Sequence, residues 1–314
     1  MKWRKAKVSE VAQVFNGRTP AKTEQRASGF PVLKIKNVDE AGRFRGTFSS
    51  FIDNSLAQKH TKKWIIGGET LILNAAHSAT HVASKTAYAT EAMTGSVATG
   101  EWLMIRWKNK IISDRFGYFW INLPETRFRI RRLVNGIHLY PKDVARLQIP
   151  LPPLEEQKRI AGLLDAADRL RAKRRESLAQ LDTFLQSTFL ELFGDPVTNP
   201  KGWEVKPLGE LIKVTSGKGL VAKDMSQDGE FAVYGGNGIN GYHCTFMFEE
   251  PQVVIGRVGA YCGAVHLTGP RSWVTDNALY VKEYFQPIET TYFVAALNST
   301  LLSSTFAFSS LRVF

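Results

Sequence analysis

Two histidines have a spacing that could bind a metal ion. His77 and His81 are separated like two zinc ligands on one face of a helix, but Ser78 stands where a zinc hydrolase has its general-base glutamate. Two incidental histidines explain this pattern better than a metal centre does. We therefore expect no metal site at this segment.

Carboxylates and a lysine offer a second possible chemistry. Asp195 with Glu204 and Lys206 has the arrangement of an acidic metal site beside a lysine, which could activate water through Mg²⁺. Such short matches are frequent by chance, and the first part of the chain lacks the motif at the corresponding place. A metal-dependent DNA endonuclease is thus the enzymatic alternative to a non-catalytic protein.

Other catalytic signatures are missing from the sequence. There is no GxxxxGK[S/T] segment, which leaves a P-loop ATPase unsupported, and 122–125 lacks the Asn-Pro-Pro-aromatic core of an amino-methyltransferase. Cys244 and Cys262 form no CxxC pair, which excludes a zinc ribbon. We expect two semi-buried thiols, a reducing cytoplasmic location, and no catalytic residue.

The charge balance indicates a polyanionic partner. Lys and Arg number 41 against 29 acidic residues, giving a net charge of +12 and a pI near 9.7. Such a surplus favours nucleic acid or an anionic membrane surface. No apolar run approaches the roughly 18 residues of a membrane-spanning helix, and the polar N-terminus is unlike a signal peptide. DNA is therefore the expected partner, and no membrane is expected.

Contacts with DNA would combine basic side chains for phosphates with paired donors and acceptors for bases. Arg257, beside Gly256 and Gly259, is the strongest candidate, whereas the favoured role of Asn237 and Asn277 is to satisfy local turn backbone. The basic run 127–132 would be a strand edge or a basic surface, either binding phosphate or simply solvated. The candidates are Lys34, Lys36, Asn37, Arg43, Lys62, Lys63, Asn237, Asn240, Arg257, Asp276 and Asn277.

The chain contains an internal repeat. Six positions between Trp3 and Gly17 recur between Trp203 and Gly217, all at an offset of 200. Further matches follow in the same order: 71–73 with 253–255 at offset 182, 98–99 with 274–275 at offset 176, and 119 and 123 with 293 and 297 at offset 174. The decreasing offset implies shorter loops in the second copy.

Each copy has the pattern of a mixed α/β domain. Short β-rich runs occur at 31–35, 70–73, 103–107, 252–255 and 279–281. They are separated by turn residues rather than by helices, which argues against a doubly wound sheet. The segments 114–123 and 289–301 are predicted helices. We predict an α+β protein with domains at 1–150 and 197–314 and a long coiled-coil-type helix within 151–196.

The segment between the copies predicts one long helix. Prolines at 150–153 stop the first domain, and residues from Leu154 to Phe193 contain one glycine, Gly162, and no proline. Arginines at two seam positions make either a solvated face or a segment facing phosphate or a partner. The heptad positions expected to pair with another helix are Leu164, Ala167, Arg171, Arg174, Leu178, Leu181 and Leu185.

Residues 149–160 (IPLPPLEEQKRI) and the helix after them resemble the central conserved region of type I restriction–modification specificity subunits. Segments 233–242 (VYGGNGINGY), 254–263 (VIGRVGAYCG) and 273–278 (WVTDNA) resemble motifs of that family's target-recognition domains. The resemblance extends over essentially the whole chain, but residues 18–130 match only in general pattern. A non-catalytic interaction scaffold is the remaining alternative.

The resemblance implies that each domain reads one half of a split DNA site, while paired helices set the spacing between the halves. It implies methyltransferase and restriction subunits as partners, with S-adenosylmethionine, ATP and Mg²⁺ bound by those subunits and no cofactor on this chain. At offset 174, Phe314 corresponds to Tyr140, so we expect the second copy to stop before a counterpart of 150–157 and the C-terminal conserved helix. The long helix would then pair with another chain, such as a second specificity chain.

Overall fold

The computed structural model describes residues 3–196, 198–226, 228–259, 262–301 and 312–313. The chain divides into unit 1, Met1–Ala172, and unit 2, Lys173–Phe314. Both units mix helices with mainly antiparallel sheets, and a 40-residue helix spans Leu154–Phe193. The predicted α+β class and long helix are confirmed, while the domain boundaries at 150 and 196 stay a prediction.

Unit 1 contains ten strands and five complete helices in its described residues. The helices are α1 (Val8–Val11), α2 (Asn54–Gln58), α3 (Asp114–Asn122), α4 (Pro124–Arg132) and α5 (Pro141–Val144), followed by α6 (Leu154–Phe193). The strands are β1 (Lys5–Lys7), β2 (Ala12–Asn16), β3 (Gln25–Arg26), β4 (Phe30–Leu33), β5 (Phe51–Ile52), β6 (Thr70–Leu73), β7 (Thr86–Tyr88), β8 (Val97–Ala98), β9 (Trp102–Trp107) and β10 (Gln148–Pro150).

The sheets of unit 1 enclose its core. An antiparallel sheet has the order β2-β9-β6-β7, and a second has the order β3-β5-β4-β8 with β4 and β8 parallel. Alternate residues of β9 face opposite clusters: Leu103 and Ile105 contact the α3 side, and Trp102 and Met104 the other. Strand β1 pairs with β10 and so brings the two ends of the domain together.

Unit 2 repeats this arrangement. Its elements are β11 (Lys206–Pro207), α7 (Leu208–Leu211), β12 (Ile212–Ser216), β13 (Phe231–Gly235), β14 (Gly238–His243), β15 (Val253–Gly256), β16 (Val265–Leu267), β17 (Trp273–Val274), β18 (Ala278–Tyr284), α8 (Thr290–Leu301) and β19 (Arg312–Val313). The sheet order β12-β18-β15-β16 matches β2-β9-β6-β7, and the parallel pair of β13 and β17 matches β4 and β8. The predicted repeat is confirmed.

The structure corrects two predicted offsets, one from strand pairing and one from the buried positions of two helices. Ile72 pairs with Leu103, as Ile255 pairs with Leu279, so β6 matches β15 at offset 183 rather than 182. Likewise, the buried positions 117, 120 and 121 of α3 match 293, 296 and 297 of α8, an offset of 176 rather than 174. Strand pairing fixes the first alignment, and the buried helix face fixes the second.

The C-terminal correspondence also changes. Strand β10 pairs Ile149 with Ala6, and β19 pairs Val313 with Lys206, which is the counterpart of Ala6 at offset 200. Val313 therefore matches Ile149, so the predicted match of Phe314 with Tyr140 is wrong. Phe314 itself lies outside the described residues, as do Ala260 and Tyr261 of the predicted recognition motif.

The first turns of α6 dock onto unit 1 through a buried glutamine. Gln157 is fully buried, and its Oε1 accepts the Ser113 N–H at 2.9 Å. Its Nε2 donates to the carbonyl oxygens of Pro152, at 2.8 Å, and Ile111, at 3.3 Å. Every polar atom of the side chain has a partner, so Gln157 holds the helix start against the loop before α3.

A second polar contact stabilises the same junction. The Arg115 guanidinium forms an ion pair with Asp165 of α6 and lies over the Tyr88 and Phe119 rings, at 4.4 and 4.8 Å from their centroids. Both charged side chains are less than one-third exposed. Desolvation by the aromatic rings strengthens such a contact, so α3 packs against the first turns of α6 within unit 1.

The core of unit 1 also contains a salt bridge between Glu69 and Arg106. Glu69 is 1% exposed and accepts hydrogen bonds from Arg106 Nε at 3.0 Å and from the Ile66 N–H at 3.1 Å. Arg106 in turn donates to Trp64 O and lies over the Phe15 ring. Removing the carboxylate would leave a partly buried guanidinium without its counter-ion.

Two other sequence predictions are corrected. The basic run 127–132 belongs to helix α4 and is not a strand edge; Pro124 begins the helix, where its fixed φ is favourable. Cys244 and Cys262 are exposed rather than semi-buried. In the part of the chain that the structure describes, no helix has the length and apolar character needed to cross a membrane.

Candidate nucleic-acid interface

The polar candidates of unit 2 converge on one edge of its sheets. The ends of β12 and β15, the β13–β14 hairpin and the β17–β18 turn meet there. A Cβ added to Gly236 in the hairpin would lie 3.3 Å from both Asn277 O and Gly256 Cα. Lys218 N and Arg257 N donate to Val274 O and Asn277 O. These contacts fix four loops in a single surface.

Arg257 lies within this edge and is exposed. Its Nη1 donates to Ser216 Oγ at 2.9 Å and more weakly to Asp276 O at 3.4 Å. Both hydrogen bonds come from one nitrogen, so within the described residues the remaining guanidinium donors can serve a ligand. An oriented Arg fork can bind a guanine edge with two hydrogen bonds.

The amides of unit 2 differ in their surroundings. Asn237 occupies the exposed two-residue turn between β13 and β14, followed by Gly238 at φ +90°. Asn240 packs over Gly235, where an added Cβ would lie 2.1 Å from Asn240 Nδ2. Asp276 and Asn277 are exposed in the turn before β18. The structure thus brings Asp276 and Asn277 into contact with Arg257, while Asn237 and Asn240 belong to the neighbouring hairpin.

Unit 1 forms a concavity at the equivalent edge. Its volume is about 310 Å³. Lys34 Nζ donates to Gln25 Oε1 at 2.8 Å, and the Gly100 N–H donates to Thr19 Oγ1 at 2.9 Å. Lys36 is exposed. The lining residues are Thr19, Gln25, Lys34, Ile35, Lys36, Thr99 and Glu101.

Two predicted contact residues of unit 1 also hydrogen-bond within the fold. Asn37 is 4% exposed. Its side-chain Oδ1 accepts a hydrogen bond from the Lys34 N–H, and its Nδ2 donates one to Thr47 O. Lys63 Nζ donates to Asn16 O at 2.5 Å, and burial lowers the pKa of Lys63. Both side chains hydrogen-bond to backbone groups of the fold, and a contact of either with DNA stays a prediction.

The remaining predicted cations of unit 1 are accessible. Lys62 is exposed on the short helical turn before β6. Arg43 is exposed and pairs with Asp39 at 2.9 Å. Burial alone would raise the pKa of Asp39, but hydrogen bonds from the Arg43 amide and guanidinium lower it below its usual value. Arg43 can reach a phosphate only by sharing or leaving that carboxylate.

Corresponding glycines allow both edges to form. A Cβ at Gly17 would lie 2.2 Å from Thr99 O, and one at Gly217 would lie 2.3 Å from Val274 O. Their backbones therefore approach the turn before β9 or β18 more closely than any side chain permits. This shared contact explains why both glycines recur at offset 200.

The seam of α6 is largely exposed. Leu178, Leu181 and Leu185 are 52%, 56% and 66% exposed, whereas Ala167 is half-buried. Arg171 pairs with Asp168 at 3.4 Å within the helix. Leu164 and Arg174 are also exposed. The helix is therefore available for pairing along this stripe, although the pairing itself stays a prediction.

Some lining residues carried no signal in the sequence. Thr19, Gln25 and Glu101 contribute to the unit 1 concavity, and Ser216 orients Arg257. The recurring Gly17 and Gly217 could have located the loop that contains Thr19, because a repeated glycine marks a close backbone approach. Nothing in the local sequence distinguishes Gln25.

The catalytic alternatives gain no metal centre. His77 and His81 lie in a loop, and His81 Nδ1 contacts Ser78 Oγ at 2.7 Å. Glu204 lies 3.7 Å from Lys206 in a surface ion pair. Among the described residues, no group of three or more His, Cys, Asp or Glu side chains could hold a metal ion.

Comparisons with solved structures agree with this fold. The crystal structure of a type I restriction–modification S subunit from M. genitalium superposes with a TM-score of 0.60 at 16% identity, covering 99% of this chain and 84% of that one. A second structure of a type I system gives a TM-score of 0.51 at 19% identity, covering 99% and 85%. At these identities the likeness concerns the fold.

Sequence relatives point the same way. The MjaVIII specificity subunit of Methanocaldococcus jannaschii is 30% identical over 135 residues, covering 39% of this chain and 32% of that protein. The MjaX specificity subunit of the same organism is 23% identical over 247 residues, covering 73% and 57%. The matched regions thus span about a third and just over half of the relatives' lengths. The type I restriction modification DNA specificity domain model matches residues 1–181, and the chain therefore belongs to that family.

Proposed function

We propose that this chain is the DNA-reading subunit of a type I restriction–modification complex, with each unit recognising one half of a bipartite double-stranded site. The observation that carries the proposal is the repeated edge. Equivalent strands bring a glycine-supported, polar loop cluster to the surface of each unit, with Lys34 and Lys36 in unit 1 and Arg257 in unit 2. Donors held on rigid strands suit base and phosphate contacts.

The proposed subunit is not itself catalytic and acts in the cytoplasm. Methyltransferase subunits would bind the chain and supply methyl transfer from S-adenosylmethionine. A restriction subunit would supply ATP- and Mg²⁺-dependent cleavage. The exposed seam of α6 would pair with a second helix, either in a partner subunit or in another specificity chain.

The defining experiment is to co-purify the chain with its methyltransferase subunit and map the methylated sites. We expect two short half-sites at a fixed separation, and insertion of one base pair between them should abolish modification. One continuous site that tolerates changes of spacing would refute the proposal. Binding without sequence preference would instead favour a scaffold whose charge serves solubility.

Arg257 allows a sharper test in unit 2. Arg257→Ala should weaken recognition of one half-site by about 1–3 kcal/mol if this side chain reads a guanine. The matched control is Arg271→Ala, because Arg271 is an exposed arginine of the same unit that pairs with Glu249 at 2.9 Å. An equal loss on every DNA sequence would mark Arg257 as a phosphate contact instead.

A further inference from the structure

Helix α4 presents a basic surface that the proposed base-reading edge does not include. Its buried residues, Thr126 and Ile130, face the core, while Phe128 is 61% exposed. The helix contains a single acidic side chain, Glu125, which pairs with Arg129 at 2.5 Å. Its basic residues are Arg127, Arg129, Arg131 and Arg132.

Hydrogen bonds to backbone carbonyl groups place α4 at the same edge of unit 1 as the concavity. Arg127 Nη2 donates to Ser84 O at 2.7 Å, in the loop between β6 and β7. After α4, Leu139 N donates to Asn74 O at 2.7 Å, and Asn74 N donates to Glu101 O at 2.8 Å. Glu101 lines the concavity that contains Lys34. A short chain of contacts therefore connects the helix to the reading edge.

The four arginines of α4 differ in exposure. Arg127 is half-buried and supports the loop, whereas Arg129, Arg131 and Arg132 are exposed. Arg132 lies 5.9 Å from the centroid of the Phe128 ring, a contact that restrains its guanidinium. A second concavity, of about 630 Å³, lies between Arg131 and the loop at Thr80. Such closely spaced cations favour successive phosphates over a single carboxylate.

We propose that the exposed face of α4 binds the phosphate backbone of DNA just outside the half-site contacted by unit 1. This inference rests on the proposed function and adds a sequence-independent contact beside it. The nearby reading edge favours DNA over an acidic protein as the occupant. Phosphate contacts position a protein on the duplex without carrying sequence information.

The test uses the full chain and two duplexes, one carrying the mapped bipartite site and one with that site scrambled. Arg129→Gln, Arg131→Gln and Arg132→Gln are made singly and together. Arg146→Gln is the control. Arg146 is an exposed arginine of unit 1 that pairs with Asp143 at 3.7 Å, and its substitution removes the same charge as each single variant. Binding is measured between about 50 and 200 mM salt, the range over which phosphate contacts dominate the change in affinity.

We expect the triple variant to lose about tenfold or more in affinity for both duplexes. The slope of log K against log salt is negative, and its magnitude should fall by about 0.9 for each lost contact. The ratio of specific to scrambled binding should stay unchanged. Extending the duplex beyond the half-site of unit 1 should strengthen binding by the original chain but not by the triple variant. The single variants carry the test if the triple variant does not fold.

Three results would overturn the inference. The triple variant could bind like Arg146→Gln, it could lose sequence preference, or it could keep DNA binding while losing the methyltransferase subunit. The last outcome would identify α4 as a protein-docking face. If the original chain itself fails to distinguish the two duplexes, the proposed function fails rather than this contact alone.

Discussion

The Gln157 contact predicts how strongly the start of α6 is held to unit 1. Gln157→Ala removes three hydrogen bonds, each contributing about 0.5–1.5 kcal/mol, and leaves a small cavity. We expect unit 1 to lose about 2–4 kcal/mol of unfolding free energy. The control is Gln180→Ala, because Gln180 is exposed on the same helix and should change stability by less than about 0.5 kcal/mol.

Gln157→Glu separates hydrogen bonding from packing. The carboxylate can still accept the Ser113 N–H, but its other oxygen would face the Ile111 and Pro152 carbonyl oxygens. Burial and these acceptors should raise the pKa of the new carboxyl group. The folded state then binds the proton more tightly than the unfolded state, so the variant should gain stability as the pH falls from about 8 to 5.

Hydrogen exchange measures this effect within unit 1, because the two units need not unfold together. Peptides spanning 108–123 contain the Ser113 amide that Gln157 protects, and peptides from unit 2 provide an internal reference. We expect faster exchange in 108–123 for both Gln157 variants. Unchanged protection, or a loss of stability no larger than that of Gln180→Ala, would refute the argument.

Three further perturbations test the fold. Gly17→Ala and Gly217→Ala should each lower the free energy of unfolding by about 1–3 kcal/mol through overpacking. Gly162→Ala, on an open helix face, should raise it by about 0.5–1 kcal/mol. Denaturant midpoints compare the three variants, and equal effects would contradict the close approaches at Gly17 and Gly217. Glu69→Ala should cost about 3–5 kcal/mol, and a thermal midpoint near that of the original chain would exclude a stabilising pair. Burial lowers the pKa of His266 below 6.5, so unit 2 should lose stability as the pH falls below that value; His266→Gln should flatten the dependence, and an unaltered pH profile would assign it elsewhere.

Local patterns predicted the elements better than their exact alignment. The helix from Leu154 to Phe193 and the strand at 70–73 follow from spacing and turn residues. All residues of β6 and β15 are buried, so neither strand alternates between apolar and polar positions. Without alternation a one-residue slip leaves no trace in the sequence. Only the pairing with a neighbouring strand reveals the offset of 183.

The interface was only partly predictable for a different reason. Arg257 stands beside Gly256 and Gly259, and that local signal singled it out in the sequence; the structure places it in the polar loop cluster of unit 2. Asn37 and Lys63 have the composition of binding residues, but their partners, Thr47 O and Asn16 O, are brought near only by the fold. Helix α4 was hidden because its exposed arginines outnumber the apolar residues that set its period. Side-chain composition therefore identified the basic surface but not the direction of each side chain.

The charge along α6 restricts which helices can lie beside it. Its midpoint falls between Lys173 and Arg174, and both residues are exposed. In a fully overlapping symmetric pair of identical helices, parallel or antiparallel, this cationic segment would meet its own copy. Such self-association would strengthen with added salt, whereas attraction to a helix with carboxylates at its centre would weaken. The electrostatics of one segment thus favour an unlike partner over an identical one.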